Sequence, residues 1–234
     1  MLALRLALRL APRRALAFAL AIPWPGAGAQ SFDADAMMDK AATAHSALRS
    51  LKVSFEQVIQ NSLTGSSVSA RGELLQKGPR YLAIKFSQPK GDQIIADGIA
   101  IWIYLPSSTP GQVFRLPMGS TDNALAGSVD VLGQFFTKPR EKYDVKDAGL
   151  SPIDGRDARA LILSPKKGGE AAFVKAVVWV DPRSGYVRQF ETTDASGLVR
   201  SVRVVRFGAN ARVNDTEFRF IVPNGVRVVE QPGG

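Results

Sequence analysis

Residues 91–105 read Gly-Asp-Gln-Ile-Ile-Ala-Asp-Gly-Ile-Ala-Ile-Trp-Ile-Tyr-Leu, closed by Pro106. Two apolar runs meet at Asp97-Gly98, a pair that favours a tight β-hairpin. A type I′ turn, with positive φ at both residues, is the expected form. Along the second arm Ile99, Ile101, Ile103 and Leu105 share one face, and Ala100, Trp102 and Tyr104 share the other. A strand apolar on both faces is covered on both, or has core on one side and a ligand space on the other. A slip of one residue would exchange the faces. The Ile face is expected to meet the ligand space.

The rest of the chain repeats the strand theme. Period-2 stretches are expected at Leu51–Gln60, Ser67–Lys77, Arg80–Ser87, Gln112–Leu116, Glu141–Asp147, Arg159–Ser164, Ala171–Asp181, Tyr186–Thr193, Leu198–Phe207, Thr216–Val222 and Val226–Glu230, with polar or glycine-bearing turns between most of them. Two stretches have helical spacing instead. One is Asp33–Ser50, with Asp33 or Asp35 as its cap. The other is Asn123–Phe136, where Leu125, Val129, Leu132 and Phe136 fall on one side. About eleven strands exceed what an open twisted sheet accommodates without curling. The expected fold is α+β: an incomplete antiparallel β-barrel with a helical lid over its concave apolar face.

The first 29 residues differ in kind. Arg5, Arg9, Arg13 and Arg14 precede the apolar run Ala15–Ile22, and Ala27-Gly28-Ala29 has the small-x-small form of a cleavage site. This reads as a secretory signal removed before Gln30, leaving residues 30–234 as one domain exported across the inner membrane. Removing four arginines from the +9 total leaves +5. The remaining basic residues are spread along strands, not gathered into a nucleic-acid patch.

Composition excludes several chemistries. With no cysteine there is no disulfide, thiolate metal site or lipidated N-terminal cysteine, and His45 is the sole histidine. No nucleophile elbow, zinc motif, phosphate loop or calcium loop is present. Neither an enzyme nor a cofactor is expected. What remains is large apolar side chains facing the inside of a curved sheet. Phe55, Leu82, Ile84, Phe86, Ile94, Ile101, Ile103, Leu125, Val129, Leu132, Phe136 and Trp179 are the candidate lining of an apolar cavity.

Several of these stretches resemble a known family. Ala96-Asp97-Gly98 with Ile101-Trp102-Ile103-Tyr104 and Pro106 is similar to the S-D-G-x-x-L-W-x-Y-x-P stretch of the periplasmic outer-membrane lipoprotein carrier (LolA) family. Ser54-Phe55-Glu56-Gln57 resembles its S-F-x-Q. Gly72-Glu73-Leu74 with Lys77-Gly78-Pro79 resembles its G-x-L…K-R-P, and Phe218-Arg219-Phe220 with Pro223, Gly225 and Val226 its C-terminal motif. The resemblance implies a monomeric periplasmic shuttle. It would take acylated lipoproteins from an inner-membrane releasing transporter and pass them to an outer-membrane acceptor lipoprotein. A lipid- or lipoprotein-binding sensor on the same half-barrel is the alternative. The chain departs at Gly78, where the family has an arginine linked to lid closure; Arg80 stands two residues on.

Overall fold

The computed structural model describes residues 32–118, 132–167 and 171–230. The expected leader therefore lies outside the described residues, as do Leu125 and Val129. Helix α1 spans Ala34–Ser46, and the Asp33 carboxylate accepts from the Ala36 amide at 2.9 Å to cap it. The helix stops short of Ser50 because the next residues are captured by the far end of the chain. The Arg49 amide donates to the Asn210 side chain, and the Ser50 hydroxyl to the Ala211 carbonyl.

Strands β1 (Ser50–Asn61), β2 (Ser67–Lys77), β3 (Tyr81–Gln88), β4 (Gln93–Asp97), β5 (Ala100–Tyr104) and β6 (Gln112–Pro117) form a meander. Two single-turn helices follow, α2 (Gly133–Phe136) and α3 (Pro139–Lys142). Strands β7 (Tyr143–Leu150), β8 (Arg159–Pro165), β9 (Lys175–Val180), β10 (Val187–Thr193) and β11 (Leu198–Ala209) make a second meander. Antiparallel pairing of β1 with β11 joins the two. The short β12 (Arg227–Glu230) lies parallel to β6. The result is one unclosed sheet ordered β12-β6-β5-β4-β3-β2-β1-β11-β10-β9-β8-β7.

Register turns the alternation into a surface. Cross-strand pairing places Phe114, Ile103, Ile94, Ile84, Leu74, Val53 and Phe207 in one uninterrupted row across seven strands. All seven belong to the core beneath the helices or pack against it. The Ile face thus points inward, while Trp102 and Tyr104 point outward. The outer face is covered too. Phe218 packs on Leu75, Ala83 and Ile95, and Phe220 stacks on Trp102 at 5.3 Å and tilts against Tyr104 at 5.8 Å.

That outer cover corrects the expected strand at Thr216–Val222. Asp215–Phe218 is a 3₁₀ turn capped by Asn214, and Lys77–Asp215 and Lys85–Glu217 ion pairs of 2.5 Å tie it down. Two aromatic anchors two residues apart hold the segment against the sheet in place of ladder bonds. The hairpin turn is corrected as well. Gly98 has φ +90° while neither Asp97 nor Ile99 is left-handed, so the two positive-φ residues that a type I′ turn needs are not present. The Asp97 carboxylate accepts from the Ile99 and Ala100 amides and the Trp102 indole, each at 2.8 Å.

Burial alone would raise the Asp97 carboxyl, but the Ala100 amide, the Trp102 indole and the Ile99 amide hold it below the usual carboxylate range. A carboxyl depressed in the folded state contributes stability above its unfolded value, about 3.9, and loses it as pH falls through the folded value. Asp97→Asn is therefore expected to flatten the acid limb of the stability profile below about pH 4, followed by urea unfolding at stepped pH. Gly72 supplies a second test. A Cβ there would sit 2.5 Å from the Lys85 carbonyl oxygen and 3.0 Å from the Phe55 ring. Gly72→Ala should lower the unfolding free energy by about 1–3 kcal/mol.

Candidate functional site

The concave face is roofed by α1 and by the segment 132–142. From α1, Met37, Met38 and Ala41 are buried in the core; from the segment, Leu132, Phe135 and Phe136 are. Phe135 is the anchor. It is 0% exposed, with ring centroids 5.7 Å from Phe173 and 5.2 Å from Phe190. Tyr143 stacks on Phe173 at 5.6 Å, and its hydroxyl donates to the Gln134 carbonyl at 2.8 Å. Burial raises the Tyr143 phenol above its ordinary value, so it keeps its proton and this bond. Phe136 faces the other way, 5.4 Å from the His45 ring on α1.

A charged contact joins the two roof pieces. Arg140 of α3 forks onto the Asp39 carboxylate of α1, its Nε at 2.9 and 3.0 Å and a terminal nitrogen at 2.5 Å. The Arg140 hydrogen bond holds the Asp39 carboxyl below its usual range. Both side chains are about half exposed, at 56% and 46%, so solvent and salt weaken the pair.

Nine of the twelve lining candidates meet on this face. Phe55, Leu82, Ile84, Ile101, Leu132 and Phe136 are buried in the core, and Phe86, Ile94 and Ile103 pack against it half-buried. Trp179 is a correction. It alternates out of phase with the buried Ala176, Val178 and Val180, so it stands on the opposite face, paired with Ala160 and Gln189. The aromatic nest of Phe173, Phe190 and Tyr143 went unforeseen, because its members come from three distant strand regions that no local spacing links.

Coverage of the face is uneven from row to row. Over β8 and β9, Leu161, Leu163, Val178 and Val180 are sealed from solvent. Over β3–β6, the row Leu82, Ala96, Ile101 and Leu116 is sealed as well, whereas Phe86, Ile94, Ile103, Phe114 and Met118 keep partial exposure. Between the roof and the sheet, a pocket the size of one water molecule lies among His45, Leu48, Leu132, Phe136, Tyr186 and Phe207. The protein's own side chains occupy the concave face here. A larger apolar ligand at this pocket would meet Leu132 and Phe136.

The lid-control positions fall elsewhere. Gly78 has φ +58°, the left-handed turn conformation that disfavours a larger residue. The Arg80 guanidinium donates to the Gly98 carbonyl and fastens the β4–β5 turn. Among the described residues no group of three or more His, Cys, Asp or Glu is placed to hold a metal, and no helix is long and apolar enough to cross a membrane.

Residues 46–221 match the family model described as outer membrane lipoprotein carrier protein LolA. The chain is 25% identical over 229 residues to an outer-membrane lipoprotein carrier protein of Leptothrix cholodnii, covering 94% of this chain and 99% of that protein. It is 23% identical over 218 residues to one from Methylobacillus flagellatus, covering 90% and 94%. Among solved structures, an uncharacterized conserved protein from Thermus thermophilus shares the fold. Its TM-score is 0.51 at 15% identity, covering 85% of this chain and 99% of that one.

Unequal coverage predicts unequal mutational cost. Phe135→Ala opens a hole in a sealed aromatic nest and should cost about 3–5 kcal/mol in denaturant unfolding. Ile103→Ala, at a half-exposed position, should cost less, about 1–2 kcal/mol. Equal losses at the two sites would refute the division.

Proposed function

The chain belongs to the outer membrane lipoprotein carrier (LolA) family, and we propose that it hides the acyl chains of lipoproteins against its concave face during transfer through the periplasm. The supporting observation is the unbroken apolar row from Phe114 to Phe207 on the face that α1 and the segment 132–142 pack against. The proposed route starts at an inner-membrane releasing transporter and ends at an outer-membrane acceptor lipoprotein, with a monomeric carrier between them.

The physics needs no catalysis. Each methylene exposed to water costs about 0.8 kcal/mol, so a free acylated protein would aggregate or stay in its membrane. A carrier replaces one apolar environment with another. The filled face explains how the unloaded protein avoids exposing its own apolar surface: Leu132 and Phe136 cover the sheet until a ligand displaces them. Displacement subtracts from ligand affinity, which keeps binding moderate and release feasible. Phe135 and the bond from Tyr143 to Gln134 keep the segment attached while Leu132 and Phe136 yield.

The competition has a signature. Phe136→Ala removes part of the internal competitor and should tighten binding of a fluorescent fatty acid by about 3–10-fold. Ile103→Asp places a charge in the apolar row and should abolish binding. Mass spectrometry of what copurifies from the periplasm supplies the ligand class. Triacylated lipoproteins support the carrier, whereas a regulatory protein or free phospholipid supports a sensor or general lipid binder. If wild type and both variants bind the probe equally, the concave face is not the site.

A further inference from the structure

One charge stands on the concave side of the sheet without a partner. Along β11, Val202 and Val204 are buried in the core, so Arg200 shares their face. Pairing agrees: Arg200 lies opposite Ile59, in phase with the inward Phe55, and opposite Thr192, in phase with the inward Phe190. The row through it reads Val68, Ile59, Arg200, Thr192, Ala176 and Leu163. Its far end is sealed at Ala176 and Leu163, and its near end is open, with Val68 63% exposed and Arg200 exposed beside it. Elsewhere the inward charges are paired. The Arg159 Nε donates to Asp147 at 2.7 Å, and Arg227 donates to the Gln112 side chain at 3.1 Å. Among the described residues no hydrogen bond or ion pair holds the Arg200 guanidinium. The Asp194 carboxyl, held below its usual range first by the Ser196 hydroxyl and the Leu198 amide, also feels the Arg200 charge but makes no ion pair with it. Thr192, directly opposite, and Gln57, diagonal to Arg200 through Val202, likewise keep side chains without hydrogen bonds.

We propose that Arg200, with Thr192 and Gln57 beside it, receives the anionic head of an acyl ligand, a carboxylate or a phosphate, whose chain lies on the concave face. The inference rests on the carrier reading for the chain and adds to it a preference for charged over neutral heads. A guanidinium presents a planar fork of N–H donors that matches either anion. Its charge is unspent, whereas that of Arg203 on the outward face of the same strand is taken up by Glu56 and Asp154. It also borders apolar surface, where a low-dielectric wall on one side strengthens its attraction for an anion. Position supplies the rest. Ile59 and Val68 adjoin Arg200 in its own row. Four residues along β11, about 13 Å away, Val204 lies opposite Phe55. The Phe55 ring meets that of the half-buried Phe86 edge-on at 5.8 Å. A chain that starts at Arg200 and runs this way crosses apolar side chains from its first carbons onward.

The test uses the whole protein and competition with Nile red, a neutral apolar dye. Two pairs of ligands share a chain and differ in the head: oleate against oleyl alcohol for a carboxylate, and oleoyl lysophosphatidate against monoolein for a phosphate. Arg200→Gln should lower the charged-to-neutral affinity ratio at least about fivefold in one pair or both, while the two neutral ligands stay within about twofold of their wild-type affinities. The exposed Arg206, opposite Ser54 on the outward face of β11, is the control for net charge. Arg206→Gln should leave both ratios at their wild-type values. The pair that responds to Arg200→Gln identifies the head, lysophosphatidate pointing to a phospholipid-type phosphate and oleate to a carboxylate. Ratios unchanged in Arg200→Gln, or lowered equally by Arg206→Gln, overturn the proposal and leave the carrier reading standing. If none of the four ligands binds wild type, the carrier reading itself fails and the proposal falls with it.

Discussion

An open sheet that is apolar on both faces must be covered on both, and the arrangement of this molecule follows from how little chain is available to do it. In the strands β2–β5, inward Leu74, Ile84, Ile94 and Ile103 alternate with outward Leu75, Ala83, Ile95 and Trp102. The outer side receives a fixed cover, in which Phe218 and Phe220 are clamped by two ion pairs. The inner side receives α1 and the short segment 132–142. One cover is bound by two aromatics and two ion pairs. The other is held by Met37, Met38 and Ala41 of α1 and by Leu132, Phe135 and Phe136, with an exposed ion pair between its two pieces.

Much of the sheet was legible because its signal is local. Alternation at β1 to β5 fixed which residues share a face, and of the two expected caps for α1, Asp33 and Asp35, it is Asp33 that caps. The turn at Asp97-Gly98 was located, but it is not the expected type I′. The deciding factor, a carboxylate that turns back to cap Ile99, Ala100 and the Trp102 indole, is a side-chain choice that pair statistics do not contain. The end of α1 and the segment after Asn214 were misjudged for one reason: Asn210 and Ala211 reach back to Arg49 and Ser50, and Phe218 finds Ile95. Those contacts cross more than a hundred residues and outweigh local preference.

The site was legible in composition more than in detail. The inward set from Phe55 to Ile103 follows from strand phase, but phase within an isolated strand has no sign. Trp179 shows the consequence: in a run as uniformly apolar as Ala-Val-Val-Trp-Val, hydrophobicity alone does not say which face is buried. Gly78 illustrates the opposite case. Read as a departure from a motif, it pointed away from β3, and the charged contact between the two roof pieces is instead Asp39 with Arg140, about a hundred residues apart and brought together only by the fold.

Backbone exchange reads the roof directly. The Thr137 amide bonds to the Gly133 carbonyl at 2.9 Å, and the Phe135 amide to the Leu132 carbonyl at 3.0 Å. Hydrogen–deuterium exchange of this stretch, with and without oleate, follows whether the segment lifts when the concave face is occupied. The structure predicts that saturating oleate speeds exchange across Leu132–Thr137 while β8 and β9 stay protected. Bound oleate with unchanged exchange there would contradict displacement of the roof by ligand.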